Sequence, residues 1–498
     1  MKKLSLLFIL GVGLWGGLPG YAQTDTLGQE FERFWEEQNQ AFVRYTDEQT
    51  AAFQKFKMAL DQAFAQALRQ DWTAYAPEKV PPSRETPKPR QSPSAPATKP
   101  LPQELPTLPP ADIQPPLISP PPPRVLQLPK PATPAPTSAF SFLENEIRVP
   151  EVASFAIFLE DTPSEKAIGD FWAAMSQKPY PVLLQALWEH KENFQLSDWH
   201  FYQLLQKTAQ KIYPPQSNEE VLFTWFMLLQ SGYKARVGYQ GTQVFLLLPF
   251  QSQVYEKTYF RLSEGLFYVV EAPRGAQLSL YIADYKYPEA QKIMQLIPSA
   301  ALPPSGEAAE RTLAFTYKNK KYSLSLAYQP AWARAFQHYP LTEPKVYFQV
   351  PPSALLRASW KTQLSPLLKD KSEEEALNFL LALVQFGLAY QTDQEQFGQE
   401  KPLTPDETLL YPYADCEDRA ILFAWLVRDL LGLPVVGLDY PGHMATAVRL
   451  SQPIKGSYCL HQNAQYWVCD PTYLGAVVGQ AMPDLVAISP QVVPLSEP

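Results

Sequence analysis

Thr404–Val435 reads TPDETLLYPYADCEDRAILFAWLVRDLLGLPV, and its punctuation decides how the C-terminal part of the chain is organised. Tyr411, Pro412 and Tyr413 favour extended backbone. Cys416 then stands where an apolar helix begins, and Gly432 marks that helix's end before a strand. A thiol at a helix start lies near the positive end of the macrodipole and beside free backbone donors, which favours the thiolate. Asp415, Glu417 and Asp418 suit a first helical turn, yet their charge opposes the thiolate, so a cationic partner is required. His443 fits that role: it follows the turn Tyr440, Pro441, Gly442 and opens the strand Met444 to Leu450. An imidazole there can take the thiol proton and return it to a leaving amine. Asp470 ends the apolar strand Tyr466 to Cys469, and Pro471 stops the ladder behind it, leaving a carboxylate able to orient the imidazole. The region's other histidine, His461, lies in an expected hairpin beside Gln462 and Asn463 and reads as a surface residue.

Taken singly these signals are bland. Buried cysteines are mostly inert, and Asp before Pro commonly makes a turn. In order, helix-start Cys, strand-start His and strand-end Asp, with the motifs DCED, Gly-His before a strand and W-x-x-DPT, the stretch resembles the transglutaminase-like, papain-type superfamily. The resemblance covers about residues 355–485. It implies an α+β fold with a Cys-bearing helix packed on an antiparallel sheet, and the catalytic set Cys416 (nucleophile), His443 (general base and acid) and Asp470 (orienting acid). It departs from the shortest family pattern at the inserted Ser451–Gly456 loop. By position alone, the run from Tyr473 to Pro483 is expected to line the cleft.

The same pattern occurs once before. Asn218–Tyr239, NEEVLFTWFMLLQSGYKARVGY, runs beside Asp418–Leu438, DRAILFAWLVRDLLGLPVVGL, with Phe223 matching Phe423 and Trp225 matching Trp425. The alternative is a chance match of two buried helices, which look alike. If the repeat is real, Gln216 stands where the second copy has Cys416 and no His occurs around Thr242 and Gln243. The earlier copy then lacks the chemistry and serves packing or binding of extended substrate.

Working outward, 498 residues call for several domains. Lys2 and Lys3 before the apolar run Leu4–Leu18 and the small residues before Gln23 read as a secretory signal peptide. Residues 26–72 carry helix formers with aromatics at an eleven-residue interval, Phe31, Phe42, Phe53 and Phe64, shadowed by Phe34, Tyr45 and Phe56. Such a stripe either binds a partner or a second copy, or packs on the protein's own body. Residues 77–138 hold 22 of the 52 prolines and read as an extended, semi-rigid spacer. The expected division is 1–22 signal peptide, 23–76 amphipathic helix, 77–139 Pro-rich linker, 140–287 degenerate transglutaminase-like domain, 288–352 β-rich region, and 353–498 transglutaminase-like domain. Within 288–352, alternation in 313–317, 322–328 and 346–350 suggests antiparallel strands.

Apolar residues make up 46% of the chain, as in globular proteins, and the net charge of −8 argues against nucleic acid or an anionic membrane as the main partner. No later segment reaches membrane-spanning length. The three cysteines, Cys416, Cys459 and Cys469, form no disulfide framework. Cys459 and Cys469 fall on two arms of a hairpin, either facing one another as a disulfide or buried as separate thiols. The expected function is an exported, periplasmic or extracellular, cysteine-dependent amide hydrolase or acyl transferase working through a thioester. Hydrolysis is favoured because water is abundant there. Peptide or protein amides, cell-wall peptides among them, are the substrates, with no cofactor and no metal. The alternative is a non-catalytic binding scaffold at the cell envelope.

Overall fold

The computed structural model describes residues 51–78, 103–104, 136–273, 276, 278–303 and 305–495. The expected signal peptide and the stripe residues Phe31, Phe34, Phe42 and Tyr45 lie outside them. Two compact units are present, 1–60 and 61–498. In the first, residues 51–60 are helical, with Phe53 45% and Phe56 57% exposed.

The second unit begins with helical residues 61–68 (α1), and these are core rather than a detached arm. Phe64, Leu68 and Trp72 are buried, and Phe64 lies edge-on to Trp172 at 4.7 Å and to Tyr287 at 5.1 Å. Asp61 accepts hydrogen bonds from the Tyr287 hydroxyl (2.7 Å) and the Gln230 amide (3.0 Å), which satisfies a buried carboxylate that would otherwise be costly. Phe64, the last member of the stripe, therefore packs on the protein's own body.

The chain continues as β1 (Thr73–Tyr75), β2 (Gln103–Glu104), and the hairpin β3 (Thr137–Phe142) and β4 (Asn145–Pro150). Next come α2 (Glu165–Ser176), α3 (Tyr180–Asn193), α4 (Asp198–Ala209) and α5 (Asn218–Gln230), then β5 (Arg236–Gln240), β6 (Gln243–Leu248), β7 (Tyr259–Leu262), β8 (Gly265–Val269) and β9 (Leu280–Ile282). A long hairpin follows, β10 (Ala309–Tyr317) and β11 (Lys320–Tyr328), and then α6 (Pro330–Ala335), α7 (Pro344–Gln349), α8 (Ala354–Leu368), α9 (Glu373–Gly387), α10 (Asp393–Phe397), α11 (Pro405–Leu410) and α12 (Cys416–Leu431). The last strands are β12 (Val435–Tyr440), β13 (His443–Val448), β14 (Ser457–His461), β15 (Ala464–Cys469) and β16 (Gln491–Pro494).

The architecture is mixed, with helices packed on predominantly antiparallel sheets. One six-stranded sheet has the order β1-β9-β5-β6-β8-β7 and the other β16-β12-β13-β15-β14-β2. Apart from β1 and β2, the two run in the same order, β9-β5-β6-β8-β7 beside β16-β12-β13-β15-β14. Each is preceded by an apolar helix, α5 or α12, closed by a glycine in the left-handed region, Gly232 or Gly432, where a side chain would be strained.

Two expectations change. Residues 346–350 are not a strand: they lie mostly in α7, where Pro344 opens the helix at a position needing no N–H donor. The hairpin β10–β11 packs on α9 and α8, and its Leu313, Phe315, Leu324 and Leu326 share one core with Phe379 and Phe423. It is therefore a layer of the C-terminal part, not a separate β-rich region over 288–352. Within the Pro-rich segment, β2 pairs in parallel with β14, Gln103 opposite Ser457, and at the segment's start Glu78 pairs with Arg261 at 2.6 Å. The chain meets the body at these described points, and residues 79–102 and 105–135 of the expected linker lie outside the described residues. Among the described residues no helix is long and apolar enough to cross a membrane.

Candidate active site

Cys416 is the first residue of α12, as the DCED punctuation implies. The start is fixed from several sides. The Asp415 N–H donates to Asp418 Oδ2 (3.1 Å), the Leu403 N–H donates to Asp418 Oδ1 (2.7 Å), and the Ala414 N–H donates to the Ala389 carbonyl (3.0 Å). Arg419, one turn on, donates to the carbonyls of Leu388 (2.8 Å) and Ala414 (3.2 Å). Its cation thus clamps backbone and ion-pairs with none of the nearby carboxylates at close range. His443 opens β13 after the Pro441–Gly442 turn, opposite Tyr440 in the ladder. α12 packs on β13, and the Met444 N–H, one residue beyond His443, reaches the Cys416 sulfur.

His443 Nε2 lies 2.9 Å from Asp470 Oδ2, with His443 3% and Asp470 1% exposed. That contact commits Nε2 and leaves Nδ1 as the nitrogen not facing Asp470. Asp470 Oδ1 accepts the N–H groups of Thr472 (2.9 Å) and Tyr473 (3.1 Å), so the Asp-Pro turn fixes the carboxylate's direction. Gln385 on α9 anchors the turn: its amide donates to the carbonyls of Asp470 (3.0 Å) and Ala476 (3.1 Å) and accepts the Gly475 N–H (3.1 Å). Replacing it, Gln385→Leu, removes the partner of two buried backbone carbonyls and of the half-buried Gly475 N–H. At about 1–3 kcal/mol for an unsatisfied buried group, urea unfolding is expected to show a loss of at least 1 kcal/mol.

The thiol's surroundings are acidic. Cys416 is 1% exposed, and its Sγ–H donates to Glu417 Oε2 at 2.8 Å. Burial, then the charges of Glu417 and Asp415, push the thiol well above its ordinary range, against the Met444 N–H, which favours the thiolate. Asp393 and Asp418, also buried, are pushed up to about 10 and about 8, each first by burial and then by neighbouring carboxylates. Asp415, Cys416 and Glu417 bring ligand atoms within 4.8 Å of one another, as do Asp393, Glu400 and Glu417, and Asp393, Asp415 and Asp418. These mostly oxygen donors have the chemistry to hold a hard divalent cation.

Sequence reasoning missed Gln385, Asp393 and Glu400. They precede α12 by 16 to 31 positions, and no motif spans that gap. Glu417 was legible as a charge near the thiol but not as its hydrogen-bond acceptor.

One further expectation is corrected, and one open alternative is decided. Tyr473, Ala476 and Met482 do not line a cleft: they pack in the apolar cluster with Val436, Leu438 and Tyr466. Cys459 and Cys469 are free, not disulfide-bonded. The hairpin turn has two residues, Gln462 and Asn463, both with positive φ, so Cys459 faces Tyr466 in the ladder. Cys469 packs with Cys416, Met444 and Trp467, and Cys459 with the cluster of Val436 and Tyr466, which puts the two sulfurs on opposite faces of the sheet. No protein-family model matches the chain, and no curated protein matches it in sequence.

Proposed function

We propose that the protein is an exported, cysteine-dependent amide hydrolase or acyl transferase acting on peptide or protein amides, transglutaminase-like in kind. The observation that carries this reading is the buried His443–Asp470 pair at 2.9 Å, with His443 on the strand against which the helix opened by Cys416 packs. His443 takes the Cys416 proton, and the sulfur attacks the carbonyl carbon. The C–N bond then breaks with that proton passing to the leaving amine, and the resulting thioester is released by water or a second amine. Backbone N–H groups in the first turn of α12 are suited to stabilise the oxyanion. Export rests on the N-terminal run of Lys2, Lys3 and apolar residues. A second reading, a non-catalytic scaffold at the cell envelope, draws on the buried, acid-flanked state of the thiol.

The test is iodoacetamide labelling of the reduced mature chain across pH, mapped to each cysteine by mass spectrometry. With His443 as base, Cys416 labels faster than Cys459 and Cys469, and His443→Ala slows Cys416 by about tenfold or more, a loss within the range of a positioned base. Equal, slow labelling of Cys416 in both proteins would sink the catalytic reading and favour the scaffold.

A further inference from the structure

The common strand order of the two sheets allows the active-site positions to be carried from one to the other by register. In the second copy the β12–β13 hairpin closes on Tyr440↔His443, and in the first the β5–β6 hairpin closes on Gln240↔Gln243. Gln243 therefore stands where His443 does. Further along, Ala447 pairs with Val468, and the corresponding Leu247 pairs with Val269. Two residues past these partners are Asp470 and Glu271. Ahead of the helices, the match of Trp225 to Trp425 places Gln216, two residues before α5, against Cys416, the first residue of α12.

Gln216, Gln243 and Glu271 line one cavity of about 980 Å³, large for a ligand site. Reaction chemistry is gone from it: two amides replace the nucleophile and base. Gln216 is held with φ +63°, its N–H donating to the buried Glu220 carboxylate, a left-handed conformation that costs a non-glycine residue energy. The one carboxylate and the one ammonium in the wall are engaged, and the imidazole of His338 also lines it. Glu271 accepts from the Tyr202 hydroxyl (2.9 Å) and the Gln206 amide (3.0 Å), while Lys257 Nζ donates to the carbonyls of Val270 (2.9 Å) and Ala272 (3.0 Å). Trp199, 6% exposed, also lines the wall, and its indole N–H has no hydrogen-bond partner. Buried donors are normally paired.

We propose that this cavity binds an uncharged, extended polypeptide segment through its main chain without cleaving it. Glutamine amides match peptide groups, each giving one acceptor and a donor pair, and Gln203 and Gln337 add two more to the wall. Glu271 and Lys257 are thus committed within the protein, and Val221, Val244 and Leu341 supply apolar wall for side chains. The choice of peptide rests on the amide chemistry proposed for the second copy, but the binding site does not.

The test uses the mature chain carrying Cys416→Ala, so no turnover is needed and a dead thiol leaves the result intact. The probe is a pool of N-acetylated, C-amidated octapeptides of uncharged residues, each with one benzoylphenylalanine for photo-crosslinking. Crosslinks are expected at the strand and helix starts around Gln216, Gln243 and Trp199, with at least fivefold lower yield in Gln243→Glu and in Gln216→Glu. Both glutamines are exposed at the cavity mouth, so these variants keep the fold. Crosslinks elsewhere, no crosslinks, or yields unchanged in both variants would overturn the proposal. Displacement of the peptides by chitohexaose would assign the cavity to a glycan and overturn it equally. Iodoacetamide labelling of Cys416 in the unmutated chain reports separately on the catalytic reading.

Discussion

Glu417→Gln is expected to speed alkylation of Cys416 by about tenfold or more at pH 8. The Glu417 carboxylate accepts the thiol's hydrogen bond at 2.8 Å and is itself 1% exposed. After burial, its charge is the largest influence holding the thiol protonated. Glutamine keeps the length and an acceptor oxygen but removes the charge, so the thiolate becomes more accessible at a given pH. Below the thiol's midpoint, each unit of downward shift is a tenfold gain in thiolate, which is the form that alkylates. Burial slows the absolute rate in both proteins, so the ratio is what counts. Cys459 and Cys469 provide internal references, since neither has Glu417 among the groups that perturb it. An unchanged Cys416 rate, with the reference thiols also unchanged, would show that Glu417 is already neutral in the native protein and does not restrain the nucleophile.

That restraint bears on how the proposed enzyme would work. A nucleophile buried against carboxylates is held as a thiol until the cleft admits a substrate or the local charge falls. The same arrangement would protect it in the oxidising compartment that the proposed export implies, because oxidation follows thiolate character and exposure. The arrangement also explains why the supporting shell is extensive. Gln385 fixes the Asp470 turn and Arg419 fixes the 388–414 backbone, so the imidazole and the helix start are positioned by separate hydrogen-bond sets.

How much of this was readable depended on whether a signal was local. Cys416 at a helix start, His443 after Pro-Gly and Asp470 before Pro are each marked by their immediate neighbours, and the structure places each on the element those neighbours imply. Gln385 lies 85 positions from the carbonyl it holds, and Asp393 meets Asp418 only through folding. The place of Glu271 was hidden for another reason: its register depends on β6–β8 pairing beyond a loop of different length, 249–258 against 449–456. The pairing of Cys459 stayed open in the sequence because register is not marked locally: Cys459 faces Tyr466, three positions from Cys469, an odd offset that puts the sulfurs on opposite faces. Residues 346–350 failed because a short apolar run has no decisive period, and Pro344 settled it as a helix.

Stability is expected to fall as pH rises from 5 to 8, with Asp393→Asn removing part of that fall. Asp393 is 1% exposed and accepts the Lys401 N–H at 2.6 Å, and burial together with Asp418 and Glu417 pushes its carboxyl up to about 10. Asp418 is pushed up to about 8 in the same surroundings. In the unfolded chain both titrate near about 4. Between that value and the folded ones, the native state holds protons that the unfolded state has released, so raising the pH favours unfolding. Each such proton contributes a slope of about 1.4 kcal/mol per pH unit. Below pH 4 both states are protonated and this contribution is fully present; it is lost as pH climbs through 8 and on toward 10. Other groups add their own slopes, so the decisive quantity is the difference between variants. Asparagine copies the neutral carboxyl's shape without a proton to lose. Asp393→Asn is therefore expected to match the parent near pH 4, to be more stable at pH 8, and to cut the slope between them by about 1.4 kcal/mol per unit. Urea unfolding at half-unit pH intervals in EDTA, which keeps stray divalent cations off the oxygen cluster, measures this. Parallel pH profiles for the two proteins would mean that Asp393 is ionised in the native state, with its charge balanced by a partner inside the cluster.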